Sequence, residues 1–282
     1  MASSNVRGIE LPDGTLVPAL GQGTWAMGES RDRQPGEVAA LRHGIDLGLT
    51  LIDTAEMYAD GGAETVVGEA IRGRRDEVFI VTKVLPSHAS ADRTVRACED
   101  SLRRLGTDRI DLYLLHWVGG VPFEETLEGF ARLRKAGKIG AYGVSNLDVG
   151  DMERWLSCAE GDRVAVDQVL YNLGRRGIEY DLLPWCRSRR IPLMAYSPIE
   201  QGRLLDHPAL ARVARRHGVS PAQIALAWVL RHPDVIAIPK AADLRHVAEN
   251  RAAADIALVQ EDLDELDAAF PPPRRRKPLE ML

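Results

Sequence analysis

IDLYLLH, residues 110–116, is a nearly unbroken run of apolar side chains that ends on a histidine. A strand without polar alternation is buried on both faces, as in a parallel sheet covered by helices. Runs of the same kind begin at Leu49 (LTLID), Val78 (VFIVTK), Ile139 (IGAYGVS), Val164 (VAVDQ), Pro192 (PLMAYS) and Val235 (VIAIP), and PALGQGTW at residues 18–25 supplies one more. From Leu49 onward the starts lie 29, 32, 29, 25, 28 and 43 residues apart. The sum is eight strands.

Each interval holds a segment of helical period. Val38, Leu41 and Ile45 recur at i, i+3, i+7, as do Val95, Cys98 and Leu102, and Phe123, Leu127 and Phe130 recur at i, i+4, i+7. Ser220-Pro221-Ala222-Gln223 is a capping box with proline at the first helical position, so another helix starts there. Eight strand–helix units in about 250 residues make a (β/α)8 TIM barrel the expected fold, with a doubly wound sheet as the alternative. The long sixth interval leaves room for one extra helix at 208–217, and a second is expected at 261–270. Asp13-Gly14, between Ile9-Glu10-Leu11 and Leu16-Val17, reads as a two-residue β-hairpin plugging the N-terminal end of the barrel. No linker divides the chain, so residues 1–282 are taken as a single domain. Residues 271–282 form a C-terminal tail that either frays or folds over the active site.

Composition narrows the function. Of 282 residues, 45% are hydrophobic and 27% charged, which fits an ordinary globular domain. Thirty-six basic against 41 acidic side chains give a net charge of −5, which argues against nucleic acid as the partner. The basic run from Arg274 to Lys277 is confined to the tail. Cys98, Cys158 and Cys186 are odd in number and widely spaced, so neither a disulfide framework nor a zinc site is expected. No apolar run is long enough for a membrane span and the first residues lack a signal-peptide core. A cytoplasmic protein is expected, a monomer, with no membrane partner.

In a barrel of this kind the working groups stand at the C-terminal ends of the strands. Those ends carry Asp53, Lys83, His116, Ser145 with Asn146, Gln168, Tyr196 with Ser197, and Lys240. No metal-binding spacing appears among the seven histidines. Residues 21–26 match the dinucleotide pattern GxGxxA, but polar loop follows where that motif requires a helix, so the segment is read as a strand end. Tyr58 lies five residues after Asp53 on the same loop. A tyrosine has a pKa near ~10, and a nearby lysine held by an aspartate would favour its phenolate and so make it a better acid. A histidine opposite would orient a carbonyl oxygen. Asp53, Tyr58, Lys83 and His116 thus suit the reduction of a carbonyl, given a hydride source from outside the chain. The bland alternative is a salt bridge at the barrel rim beside a loop aromatic.

These residues resemble the aldo-keto reductase superfamily. LTLIDTAEMYADGGAETVVGEA (residues 49–70) is similar to its aspartate and tyrosine signature, DLYLLHW (111–117) to its histidine segment, GVSN (143–146) to its nicotinamide-side motif and IPKAADLRHVAEN (238–250) to its adenine-side motif. AEMYADGGAE and RGIEYDLLPWC resemble bacterial reductases of the methylglyoxal and 2,5-diketo-D-gluconic acid type. The resemblance implies reduction of aldehydes or ketones by NADPH, with Tyr58 as proton donor, Lys83 and Asp53 tuning it and His116 orienting the carbonyl. It implies that Ser145, Asn146 and Gln168 hold the carboxamide, that Tyr196 stacks on the nicotinamide, and that Ser197, Pro198, Ile199 and Gly202 follow the pyrophosphate. Gly23, Thr24, Trp25 and Asp53 would line the same cleft, with Ile238, Pro239, Lys240, Ala241, His246, Glu249 and Asn250 at the adenine end. Where the family often has serine and arginine, this chain has Ala241 and His246, so NADH stays open as a second cofactor. Trp25, Tyr58, His116 and Trp117 would meet a small dicarbonyl such as methylglyoxal, or a keto-sugar. A weakly catalytic NADP(H)-binding regulatory subunit on the same barrel is the alternative.

Overall fold

The computed structural model describes residues 6–282. β1 (Gly8–Glu10) and β2 (Leu16–Pro18) form an antiparallel hairpin. Eight parallel strands follow: β3 (Gln22–Gly23), β4 (Leu51–Asp53), β5 (Phe79–Val84), β6 (Ile110–Leu115), β7 (Ile139–Ser145), β8 (Asp167–Leu170), β9 (Leu193–Tyr196) and β10 (Val235–Ala237). The sheet keeps chain order, and parallel bridges Leu20–Ala237 and Gly23–Lys240 bring its outer strands together. The matching helices are α1 (Gln34–Asp46), α2 (Gly62–Ala70), α3 (Ala91–Leu105), α4 (Phe123–Lys135), α5 (Val149–Ser157), α6 (Leu182–Ser188), α7 (Pro208–His217), α8 (Pro221–Leu230), α9 (Leu244–Ala253) and α10 (Gln260–Ala269). Both extra helices, α7 and α10, lie where the sequence spacing puts them. Among the described residues no helix is long and apolar enough to cross a membrane.

The capping box at Ser220 is formed, with Gln223 N–H donating to Ser220 Oγ and Ser220 N–H to Gln223 Oε1. No helix begins inside the glycine pattern at 21–26: α1 starts only at Gln34. The hairpin departs from expectation. Leu11 N–H donates to Thr15 O and Gly14 N–H to Leu11 O, so three residues, not two, make the connection. Pro12 suits the second position of the turn, and Gly14 takes the left-handed conformation (φ +87°) that closes it.

Two layers of apolar side chains result. Tyr113 and Leu115 face the helix ring, whereas Leu112 and Leu114 point into the sheet's concave interior with Leu51, Val81, Val166, Met194 and Ile236. Ile9, Leu11, Val17 and Ala19 of the hairpin pack onto this inner cluster and seal its lower end. Side chains of a strand alternate between faces, so two residues beyond each inner position the same face returns. Leu51 leads to Asp53, Val81 to Lys83, Leu114 to His116, Val166 to Gln168 and Met194 to Tyr196. The interior rows thus continue upward as the polar set.

Candidate active site

At the upper end Lys83 is completely buried and its ammonium meets four oxygens: Asp53 Oδ1 at 2.8 Å and Oδ2 at 2.9 Å, the Thr54 carbonyl at 2.8 Å and the Tyr58 hydroxyl at 3.2 Å. An ammonium has three hydrogens. One goes to the Asp53 carboxylate, one to Thr54 and one to Tyr58, so no hydrogen of Lys83 is left over. Since the tyrosine oxygen accepts from Lys83, its own proton is free to point elsewhere.

Burial alone would pull the Lys83 ammonium down, but Asp53 and Tyr58 outweigh it and the net direction is up, which keeps the group charged at neutral pH. Asp53 is held from the other side by Gln168 Nε2 at 2.7 Å, and its backbone carbonyl accepts from Thr24 Oγ1 at 2.9 Å. For Tyr58 the outcome differs from the sequence expectation. Lys83 does favour the phenolate, yet burial is the larger effect and the hydroxyl is raised above the ordinary tyrosine range. The phenol therefore stays protonated.

His116 sits across the pocket, its ring 5.9 Å from that of Tyr58, and Trp25 meets Tyr58 edge-on at 5.1 Å. Burial, then the positive charge of Lys83, lowers the His116 pKa to about 2. The ring is neutral at any working pH and has one N–H to give. Its Nδ1 is buried without a hydrogen-bond partner. Trp117 packs beside it at 4.8 Å.

Around this centre the loops are strained. Ala26, Ala59, Asp60, Asn146, Ser197, Glu200 and Gln201 all have positive φ and all follow β3, β4, β7 or β9. Such conformations cost free energy and collect where function over-determines the backbone. The first loop is fixed by backbone against backbone: a side chain on Gly28 would come within 2.3 Å of Gly62 at the start of α2. That contact sets the loop carrying Trp25 against the one carrying Tyr58.

Other predicted positions also gather here. Ser145 Oγ donates to the Gln168 carbonyl, Asn146 Nδ2 to the His116 carbonyl and to Ser145 Oγ, and Tyr196 OH to Asn146 Oδ1. Gln168, expected at a strand end, lies inside β8, which starts at Asp167 and runs on to Leu170. Lys240, Arg245 and His246 are exposed beside the start of α9. One contact escaped the sequence reading, and the tail, expected either to fray or to fold over, is held. Asn172 Nδ2 donates to the Ser197 carbonyl and to Glu200 Oε2, clamping the loop after β9. The tail is tied down, Arg276 to Asp148 and Asp181 and Glu280 to Arg175, and the backbone of Leu282 reaches the Tyr196 hydroxyl.

Residues 19–270 match the Aldo/keto reductase family. The chain belongs to that family. It is an oxidoreductase of the NADPH-dependent kind, and it is similar along its length to named relatives. It is 52% identical over 279 residues to the methylglyoxal reductase YeaE of Escherichia coli, covering 97% of this chain and 98% of that one. It is 36% identical to a glyoxal reductase of Bacillus subtilis, covering 92% and 91%. An aldo/keto reductase from Klebsiella pneumoniae, crystallised with NADP and acetate, superposes with a TM-score of 0.96 at 53% identity, covering 98% of this chain and all of that one.

Proposed function

We propose that this reductase converts small aldehydes and dicarbonyls of the methylglyoxal type to alcohols, with Tyr58 as the proton donor. The observation that carries the reading is the Lys83 ammonium, 3.2 Å from the Tyr58 hydroxyl while bound to both oxygens of Asp53. NADPH, when bound, supplies the hydride that no side chain here can give. As the substrate oxygen gains negative charge, Tyr58 passes it a proton, and Lys83 stabilises the charge left on the phenol oxygen. Neutral His116 donates its single N–H to the same oxygen and fixes its direction. Trp25 and Trp117 wall the approach.

The residues present fit a dinucleotide. Lys240 is exposed and makes no ion pair among the described residues, and it stands close to the N-terminus of α9, where an anion is favoured. Asp243 already caps that helix by accepting from Arg245 N–H and His246 N–H, so the chain itself supplies a negative charge at this helix start. Discrimination between NADPH and NADH therefore rests on Lys240 with Arg245 and His246. Gln168 has its amide nitrogen engaged by Asp53, so its carbonyl oxygen is what it offers a carboxamide. Asn146 has both amide hydrogens committed, and its Oδ1, which already accepts from Tyr196, keeps one lone pair to offer. Tyr196 supplies a ring beside them, and the strained Ser197–Gly202 backbone suits a pyrophosphate. The closed barrel, plugged below by its hairpin, leaves this upper end as the route for both reactants.

The test is NADPH oxidation with methylglyoxal by the parent and by Tyr58→Phe. Loss of nearly all turnover with NADPH binding retained is expected. Turnover in the variant close to that of the parent would remove Tyr58 as the acid.

A further inference from the structure

Glu56 lies two residues before Tyr58, is almost wholly buried, and takes no part in the set around Lys83. Its Oε1 accepts the backbone N–H of Leu85 at 2.7 Å and pairs with His88 Nδ1 at 3.0 Å. Leu85 is two residues beyond Lys83, and His88 ends the short turn Pro86–His88 that follows β5. One carboxylate therefore ties the loop bearing the phenol to the strand end bearing the ammonium.

That turn is itself anchored. Thr94 Oγ1 on α3 donates to the His88 carbonyl at 3.2 Å, and Thr126 Oγ1 on α4 donates to the Ala89 carbonyl at 2.9 Å. The Tyr58 loop has less to hold it: Tyr58 N–H reaches only Ala55 O, and the next two residues are in the left-handed region. Without Glu56, the loop keeps to β5 only the bonds at Thr54, from its N–H to Val81 O and to its carbonyl from Lys83, and the Tyr58 to Lys83 contact itself, so the strain at Ala59 and Asp60 is opposed by less and that contact is free to lengthen.

From this juxtaposition we infer that Glu56 is a positioning residue for the reduction, setting the separation of the Tyr58 hydroxyl and the Lys83 ammonium by clamping their two loops together, with His88 as the outer half of the clamp. The inference rests on Tyr58 being the proton donor. A misplacement of about 1 Å in such an assembly costs on the order of 10²-fold in rate.

Three variants test it: Glu56→Ala, Glu56→Gln, which keeps an acceptor oxygen, and Tyr58→Phe as control. Turnover of methylglyoxal is measured across pH, with NADPH binding followed by fluorescence. Glu56→Ala should lose at least about tenfold in kcat with NADPH affinity within about twofold. Its alkaline limb should move to higher pH, because a phenol further from Lys83, still facing Asp53 and neutral His116, holds its proton more tightly. Glu56→Gln should recover most of the rate and the parent profile. A Glu56→Ala enzyme with parent kcat, or one that is slow but keeps the parent pH limb and is not rescued by glutamine, overturns the inference. An active Tyr58→Phe enzyme would instead overturn the assignment of the acid.

Discussion

The two ends of the barrel are built from the same strands and obey different rules. Below, hairpin residues Ile9, Leu11, Val17 and Ala19 meet an apolar interior in which packing alone decides the arrangement. Above, the same inner rows end in a buried ammonium, a buried carboxylate and an imidazole stripped of charge, and all the positive-φ residues other than glycine, save Glu160 and Arg190, stand in loops among the described residues of that end or its neighbours in the β3, β4, β7 and β9 connections. The lower end adds stability and the upper end spends some of it on chemistry.

Substitutions can break that contrast or sharpen it. The largest effect is expected from Lys83→Met, which strands Asp53 without its cation and Tyr58 without its neighbour. Stability should drop by about 3–5 kcal/mol and kcat by about 10²- to 10⁴-fold, checked by denaturant melts and initial rates. If only one quantity moves, the upper end is not a single coupled unit. Leu11→Ala should lower stability by about 2–5 kcal/mol and leave kcat per folded molecule unchanged. A matching loss of rate in that variant would mean the plug reaches the chemistry.

His116 gives a finer measure. Its pKa is about 2 in the folded protein, against about 6.5 in an unfolded chain. Below about pH 6.5 the unfolded chain binds a proton here that the folded protein refuses, so stability falls as pH falls, by up to about 1.4 kcal/mol per pH unit. Above that pH the group contributes nothing to the slope. Urea midpoints between pH 4 and 7 should show a shallower slope for His116→Gln, and parallel curves would contradict the buried neutral ring. The smallest effect is that of Lys240→Ala: KM for NADPH should rise about tenfold with NADH within about twofold. Equal changes for both cofactors would place the lysine away from the 2′-phosphate.

Much of this was legible in the sequence because a parallel strand buried on both faces leaves an apolar run with a polar terminus. IDLYLLH and VFIVTK each announce a strand, a helix to follow and a group at the mouth. What stayed hidden depends on pairs distant in sequence or on burial. Nothing around Glu56 predicts His88, 32 residues away, and nothing near Asn172 predicts Glu200. The direction of the Tyr58 shift could not be read either, since Lys83 and burial oppose each other and only the folded arrangement says which is larger. The hairpin connection is one residue longer than Asp13-Gly14 alone suggests, because Pro12 and the pairing of Leu11 with Thr15 make the wider turn.

Lys83 stands like a tripod, its three legs splayed tetrahedrally onto a carboxylate, a peptide oxygen and a phenol. A guanidinium is flat and spreads its donors within one plane, so arginine, for all its charge, has no way to stand on the same three points. At this position the shape of the cation matters as much as its sign, and the choice of lysine is a choice of geometry.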